Sequence, residues 1–592
     1  MRWIVITGFV LAWYAVNGYR VGTADHGLLT PMVDRLLDSN FLAGDYLYST
    51  NHPTLLWYVY APFFWALGTE WASFLMHVSC LIGLGYAVTY LARSLTNVGS
   101  SVAVSAIALT ILVPIAQTFG ALPTFDDLIL PRVVSLAPLL VALGLAAKGR
   151  YAAGFALAGL VFNLHPTTAA HAAVLIGGLW LLSKPTTRRR FLEPLAFIGA
   201  ALPLLLMLGF SGHGSQVSMP FPQAWLDLTA VSWPFHHFPQ HFSLLQWIFG
   251  VVPWLFWLGS RSAIRSRAAD AFMIATLVFC GIGFILINYL RVPQALAIHV
   301  FESTRFAHYI AAILVAAWVV KAFSQPTFLR AAPGLLAGLL TVLFSITGYD
   351  EWELGFAHAL PLGVVLAGVG EFFASRTAPP SDAPGPLSRY SNAPLIAAAV
   401  AAVLTVSWLR LQERHRPMRF TIDASVVTEY GGPLADTSST EMRDASGLNV
   451  MKWCRDNLSN EVLVAIPPVM FHPLASFRVV AKRRPFVTWK DGSEAAFSEA
   501  FAEEWKARIT SITSSDVLAP LPPGNAFMPF LGKLDTAGRE FQELDEARLR
   551  TLRDRYGVTH VLRNSDSAAL HFPLLYEDSK YRLYTLAEQI QE

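Results

Sequence analysis

Ionisable residues are scarce in this chain, with 14% charged against 54% hydrophobic, so the places where they gather are where chemistry belongs. The first gathering is the stretch 19–53, YRVGTADHGLLTPMVDRLLDSNFLAGDYLYSTNHP, with Asp25, Asp34, Asp38, Asp45, His26 and His52. A carboxylate in an apolar cavity has its pKa raised towards neutrality and can take the proton of an attacking hydroxyl. Asp25 is the favoured base of this kind, although an Asp before GLL also suits a helix N-cap. Asp34, Asp38 and Asp45 read as solvated loop charges. Further along stand Asp126 and Asp127, Arg132, His165, the group His236, His237 and His241, then Glu302 and Arg305. An arginine at the end of an apolar helix can hold a phosphate through two parallel N–H bonds. Arg305, and less strongly Arg132, fit that role, whereas Arg305 as an interfacial snorkelling residue is the plainer alternative. His165, Asp126, Asp127, His26, Glu302, His236 and His237 are expected to line the same cavity. Asp126 and Asp127 also suit a turn before a helix. The histidine group has irregular, Pro-rich spacing instead of the i, i+4 pair of a helical zinc site, so no metal is assigned to it. The residues imply no definite cofactor, and a divalent metal stays open.

These groups need elements to position them, and the composition says which. A soluble globular protein carries about a quarter charged residues. At 592 residues and a mean hydropathy of +0.45, this chain is expected to be an integral membrane protein, mainly helical. Its net charge of +2 is scattered, which excludes nucleic acid as a partner on electrostatic grounds. Cys80, Cys280 and Cys454 are too few and too separated for a disulfide framework. Apolar runs of about 17–25 residues, oriented by where Lys and Arg collect, give about thirteen transmembrane helices. The first, 1–19, is uncleaved with Arg2 in the cytoplasm. Residues 54–68, short, aromatic and interrupted by Pro62, are expected to lie at the membrane surface or to re-enter it, with the second span at 71–92. The fifth, 151–164, stops at His165-Pro166, the tenth begins at Arg305, and the thirteenth lies at 393–409. With this assignment all the unusual polar groups fall on the outer side, which implies one outward-facing polar cavity.

Beyond residue 410 the composition turns soluble. Residues 411–592 are expected to form an outer α/β domain. NVMKWCRDNL, SEAAFSEAFAEEWKARI and DEARLRTLRDRYG have helical patterns. EVLVAIPP, VTHVLRN and YRLYTL read as strands, and FRVVAKRRPFVTW as a strand pair or bend. No nucleophile elbow, P-loop or zinc spacing occurs there.

A first span followed by a long acidic outer loop, about thirteen spans and a soluble tail resemble the GT-C superfamily of integral membrane glycosyltransferases, which use polyprenyl-phosphate-linked sugars. TADHG in the first loop, the break at NLHPTT, FESTRF before a late span, and the tail stretches MKWCRDNLSNEVLVAIPP, RDRYGVTHVLRN and YEDSKYRLYTL are similar to bacterial GT-C-like proteins of unassigned substrate. The resemblance implies a transferase with domains at 1–410 and 411–592. It implies a lipid-linked sugar donor, membrane lipids, and an acceptor glycan, lipid or protein, at the outer face of a bacterial inner membrane. It carries the first-loop catalytic aspartate onto Asp25. The chain departs from oligosaccharyltransferases in having no WWDYG-type motif and no second carboxylate beside Asp25, which disfavours transfer to Asn. A transporter or flippase for a lipid-linked or anionic solute, and a non-catalytic GT-C-like scaffold, stay open as readings.

Overall fold

The computed structural model describes residues 2–587 apart from 18, 20–25, 50–53, 99–100, 114–118, 120–124, 127–128, 184–190, 211–219, 243, 324, 326–327, 348–362, 370, 372–444, 470–472 and 525. Its organising element is a helix from Thr304 to Ala322 in which every residue but Lys321 is buried. A helix that is apolar on all sides must be surrounded by others, and this one is, although it carries Arg305, His308 and Tyr309 inward with it.

In chain order the helices are α1 (Arg2–Asn17), α2 (His26–Leu37), α3 (Leu56–Leu95), α4 (Ser101–Leu112), α5 (Pro131–Ala147), α6 (Tyr151–Phe162), α7 (Pro166–Leu182) and α8 (Leu195–Phe210). There follow α9 (Gln223–Ser232), α10 (Leu244–Ser260), α11 (Arg267–Asn288), the buried α12 (Thr304–Ala322) and α13 (Phe328–Thr347). Helix α12 packs on α4, α10 and α13, α3 on α5, α5 on α6, α6 on α8, and α7 on α11. Helices associate in lipid through small residues that let backbones approach. A Cβ on Gly338 of α13 would come 2.5 Å from Val319 of α12. Helix α3 is broken at Gly68, whose φ of 74° and ψ of 161° are open to glycine and to few other residues. Two helical pieces therefore meet between Leu67 and Trp71.

The expected thirteen spans do not hold. Among the described residues three helices are long and apolar enough to cross a membrane, Trp71–Leu95, Arg267–Asn288 and Pro293–Ala322, and seven more are apolar but of 10–17 residues. At 1.5 Å per residue a 12-residue helix reaches about 18 Å, short of the ~30 Å hydrocarbon core. The break expected at His165-Pro166 is present, Tyr151–Phe162 being one helix and Pro166–Leu182 the next. The stretch 291–304, just before the expected tenth span, is helical over Pro293–Ala297 and Val300–Ser303 and leads into α12. The thirteenth expected span and most of the twelfth lie outside the described residues. Three such helices in a chain of this hydropathy make it an integral membrane protein.

The tail carries α14 (Ala445–Asn457), α15 (Glu499–Ile512), α16 (Phe527–Gln542) and α17 (Glu546–Tyr556) against a small five-stranded sheet. Its strands are β1 (Leu463–Ala465), β2 (Arg484–Pro485), β3 (His560–Asn564), β4 (Leu574–Glu577) and β5 (Tyr581–Thr585), in the order β2-β1-β3-β5-β4. The β1 pairs with β2 and β3 are parallel, while β5 is antiparallel to both β3 and β4. The helix ends follow local chemistry. Ser498 and Asp545 accept the N-cap bonds of α15 and α17, and Gly557 ends α17 at φ 73°. Of the two readings of FRVVAKRRPFVTW, a strand pair or a bend, the strand pair does not form. Phe477–Val480 form one helical turn and the strand is two residues long, because Phe477 and Val480 bury on the same side at helical spacing. The tail does not keep its core to itself. Tyr46 and Leu47 of the first loop, Phe221, Trp225 and Phe238 around α9, and Phe301 share one buried cluster with Trp489, Trp505 and Phe530.

Candidate functional site around Arg305

The site grows from the first turn of α12. Arg305 is 2% exposed, and its Nε and Nη2 have no hydrogen-bond partner among the described residues. A buried donor left unpaired costs about 1–3 kcal/mol, more when it is charged, so this guanidinium is kept for something. It lies at the N-terminal end of a buried helix, where free N–H groups favour an anion. Glu302, Asp126, Arg132 and Tyr309 are within electrostatic reach of it.

Asp126 is held from two directions. Its carboxylate accepts from Arg132 Nε at 2.9 Å and Arg132 Nη2 at 2.7 Å, a bidentate pair across the start of α5. Its main-chain oxygen accepts from His77 Nε2 at 2.9 Å, which leaves His77 Nδ1 to accept the Tyr14 hydroxyl at 2.8 Å. Helices α1, α3 and α5 thereby fix one carboxylate. The Arg132 fork is spent on Asp126, so Arg132 differs from the open fork of Arg305. The loop before Asp126 reaches α12 directly, Phe119 N donating to Thr304 Oγ1 at 3.0 Å.

His165 sits where α6 and α7 break. It is the N-cap of α7, with Nδ1 2.6 Å from Thr168 Oγ1 and Pro166 at the first helical position. Glu302, Arg132, Arg305 and His171 lie within electrostatic reach of it. The end of the first loop is tied to the same break, Leu55 N donating to Asn163 O at 2.8 Å and Thr54 Oγ1 to Leu164 O at 2.6 Å.

On the other side of Glu302 is a histidine group. Glu302 Oε1 is 2.9 Å from His299 Nδ1, an i, i+3 contact on the single turn that leads into α12. His299 has left-handed backbone at φ 50°, ψ 54°, uncommon for a residue with a Cβ. Its ring is 4.5 Å from that of His237 and 6.2 Å from that of His236, and it stacks at 6.0 Å on Phe497 of the tail. Burial, with His299 and His236 adding to it, holds the His237 imidazole well below its usual pKa, so it is neutral. Among the described residues no group of three His, Cys, Asp or Glu is arranged to hold a metal ion.

The structure therefore brings Asp126, Arg132, His165, Glu302 and Arg305 together and sets His236 and His237 at the edge of that group, through His299. His241 belongs elsewhere, its Nδ1 3.1 Å from Pro522 O of the tail. Asp25, Asp127 and His52 lie outside the described residues, and His26 is the first residue of α2. Asp45 departs from expectation. It is buried, and both its oxygens are held by Arg478 of the tail, at 2.8 and 3.2 Å, while Arg478 Nη1 donates to Asp491 at 2.7 Å and Tyr46 OH to Asp491 at 2.7 Å. A loop aspartate reads as solvated when its partner is far along the chain. Asp38 is exposed and caps Asn40 N. Sequence reasoning missed His299, His77, Arg478 and Asp491. Of these His299 had a signal, three residues before Glu302 in IHVFES.

Residues 445–512 match a protein family described as a domain of unknown function, DUF6798. No curated protein matches. Among solved structures, the chain is similar to the archaeal oligosaccharyltransferase AglB from Archaeoglobus fulgidus in complex with an inhibitory peptide and a dolichol-phosphate. That likeness has 12% identity and a TM-score of 0.40, and it covers 95% of this chain and 69% of that one.

Proposed function

We propose that the chain is a membrane glycosyltransferase that moves a sugar from a polyprenyl-phosphate donor to an acceptor hydroxyl. One observation carries the reading: the buried fork of Arg305 at the head of α12, whose Nε and Nη2 have no partner among the described residues, beside Asp126, Arg132 and Glu302. The sequence resemblance to the GT-C superfamily agrees with it. In this reading the acceptor oxygen bonds to the anomeric carbon, and the bond from that carbon to the phosphate oxygen breaks with its electron pair on the phosphate. Arg305 meets that charge through two N–H donors, worth most where water is excluded. Arg132 adds positive charge while Asp126 holds it. Asp25 takes the acceptor proton. His165, Asp127, His26, His236 and His237 belong to the walls of the site, which faces the outer side of a bacterial inner membrane, as do residues 411–592.

The test is release of undecaprenyl phosphate by the full chain in lipid vesicles, followed by mass spectrometry across a panel of undecaprenyl-phosphate sugars with membrane extract as acceptor. Asp25→Asn should abolish release with the fold intact, and Arg305→Met should lose binding of undecaprenyl phosphate. Full turnover by Asp25→Asn removes that base assignment. Movement of the intact donor across the bilayer without release makes the chain a transporter instead.

A further inference from the structure

A second arginine is buried without adequate partners, on a strand of the tail. Arg563 lies on β3, close under the surface of the tail yet only 2% exposed. Its Nε has no partner among the described residues, and its one hydrogen bond, Nη1 to Leu544 O, is long at 3.3 Å. Above it opens a surface groove of about 800 Å³, between the end of α16, the start of α17 and the loop from β3 to β4. Small-molecule sites run from about 300 to 1,000 Å³, so the groove suits one or two sugar rings.

Its lining says what kind of ligand. Arg539 and Asn564 offer donors, Glu543 and Asp566 acceptors, and Leu570 an apolar surface. The loop is built to stay in place, because Gln542 Oε1 accepts both from Asn564 N at 3.0 Å and from Ser567 Oγ at 2.9 Å. Glu546 Oε1 also lines the groove and is engaged by His571, its N donating at 2.6 Å. Glu543, Asp545, Glu546 and Asp566 repel any anion, a multiply charged free phosphate more than a single carboxylate. A ligand with one carboxylate on a frame of neutral hydroxyls would satisfy the buried arginine and the mixed rim together.

We propose that this groove binds an acidic saccharide, with a hexuronate-type carboxylate on Arg563 and Arg539 and its hydroxyls on Asn564, Glu543 and Asp566. The site is separate from the Arg305 group and does not depend on the glycosyltransferase reading. A chain with no transferase activity would still bind here, and an active one need not.

The test is calorimetric titration of the full chain in detergent with galacturonate, glucose and inorganic phosphate. Galacturonate should bind saturably and more tightly than glucose or phosphate, and Arg563→Gln should weaken it about tenfold or more. Equal binding of galacturonate and glucose, no saturable binding of galacturonate, or an Arg563→Gln protein that binds as the parent does would each overturn the proposal. Where Arg563→Gln does not fold, Arg539→Glu on the exposed rim decides, weaker galacturonate binding supporting the site and unchanged binding refuting it.

Discussion

Arg478 Nε donates to Asp45 Oδ2 at 2.8 Å across 433 residues of chain, in a contact where neither side chain is more than 4% exposed. It joins the first loop to the tail. Asp491 takes the other side of the same guanidinium, and Thr488 N donates to Asp491 Oδ2 at 2.9 Å. Burial opposes the charge on Arg478, but the two carboxylates hold its pKa well above the usual arginine value.

Removing one partner of such a pair leaves a buried charge uncompensated, which costs about 3–5 kcal/mol. Asp45→Ala and Arg478→Ala should each lower thermal stability by that order, read from thermal melting of the full chain in detergent. Asp45→Ala combined with Arg478→Ala should cost less than the sum of the two single losses, because the pair is lost only once, although Asp491 loses its cation in the double variant too. Additive losses in the double variant would mean that the two residues are not coupled.

Acid should loosen the same junction. Burial by itself would raise the Asp491 pKa, yet Arg478, Tyr46 and Thr488 N together hold it below the usual value. A depressed carboxylate contributes stability that is fully present above its unfolded pKa of about 3.9 and is lost as pH falls through the folded value. Asp491→Asn should therefore be less stable than the parent at neutral pH and show a shallower loss below about pH 4. Hydrogen exchange of α15 against pH would record both. An unchanged acid slope in the variant would assign that loss to other groups.

How much of this was legible beforehand depends on separation along the chain. Glu302 and Arg305 were readable because FESTRF puts a carboxylate and a guanidinium one turn apart at the head of an apolar run. His165-Pro166 announced its own break. Asp45 could not announce Arg478, since a carboxylate in a polar loop looks solvated until a partner from the tail covers it. His299 needed its left-handed backbone and the ring of Phe497 before it stood out. Hydropathy overstated the spans for a related reason. It counts apolar residues, whereas crossing a bilayer requires a helix long enough to span it, and helices such as Ser101–Leu112 are apolar but only 12 residues long.

The histidine group should respond at milder pH. His237 is buried with His236, His299 and Glu302 around it, and its imidazole is kept neutral by burial first and by the two histidines next. A histidine whose folded pKa is depressed contributes stability that is complete above its unfolded pKa of about 6.5 and declines as pH falls below that towards the folded value. Unfolding midpoints measured between about pH 7.5 and 5 should fall for the parent and fall less for His237→Leu. Equal slopes would show that His237 does not titrate on unfolding in this range.

The Arg305 fork makes a prediction whose sign separates function from structure. A buried cation without hydrogen-bond partners destabilises the fold that contains it, by roughly 1–3 kcal/mol for each unmet group. A structural arginine, by contrast, loses contacts when replaced. Arg305→Met keeps the volume and removes the charge, while Glu302 retains His299 at 2.9 Å. The ligand-free variant should therefore melt higher than the parent. On the proposed function, undecaprenyl phosphate should raise the melting point of the parent, as a ligand of the folded state alone does, and should leave that of Arg305→Met where it was. A variant that melts lower without ligand and still gains stability from undecaprenyl phosphate would make Arg305 a packing residue and remove the phosphate from this site.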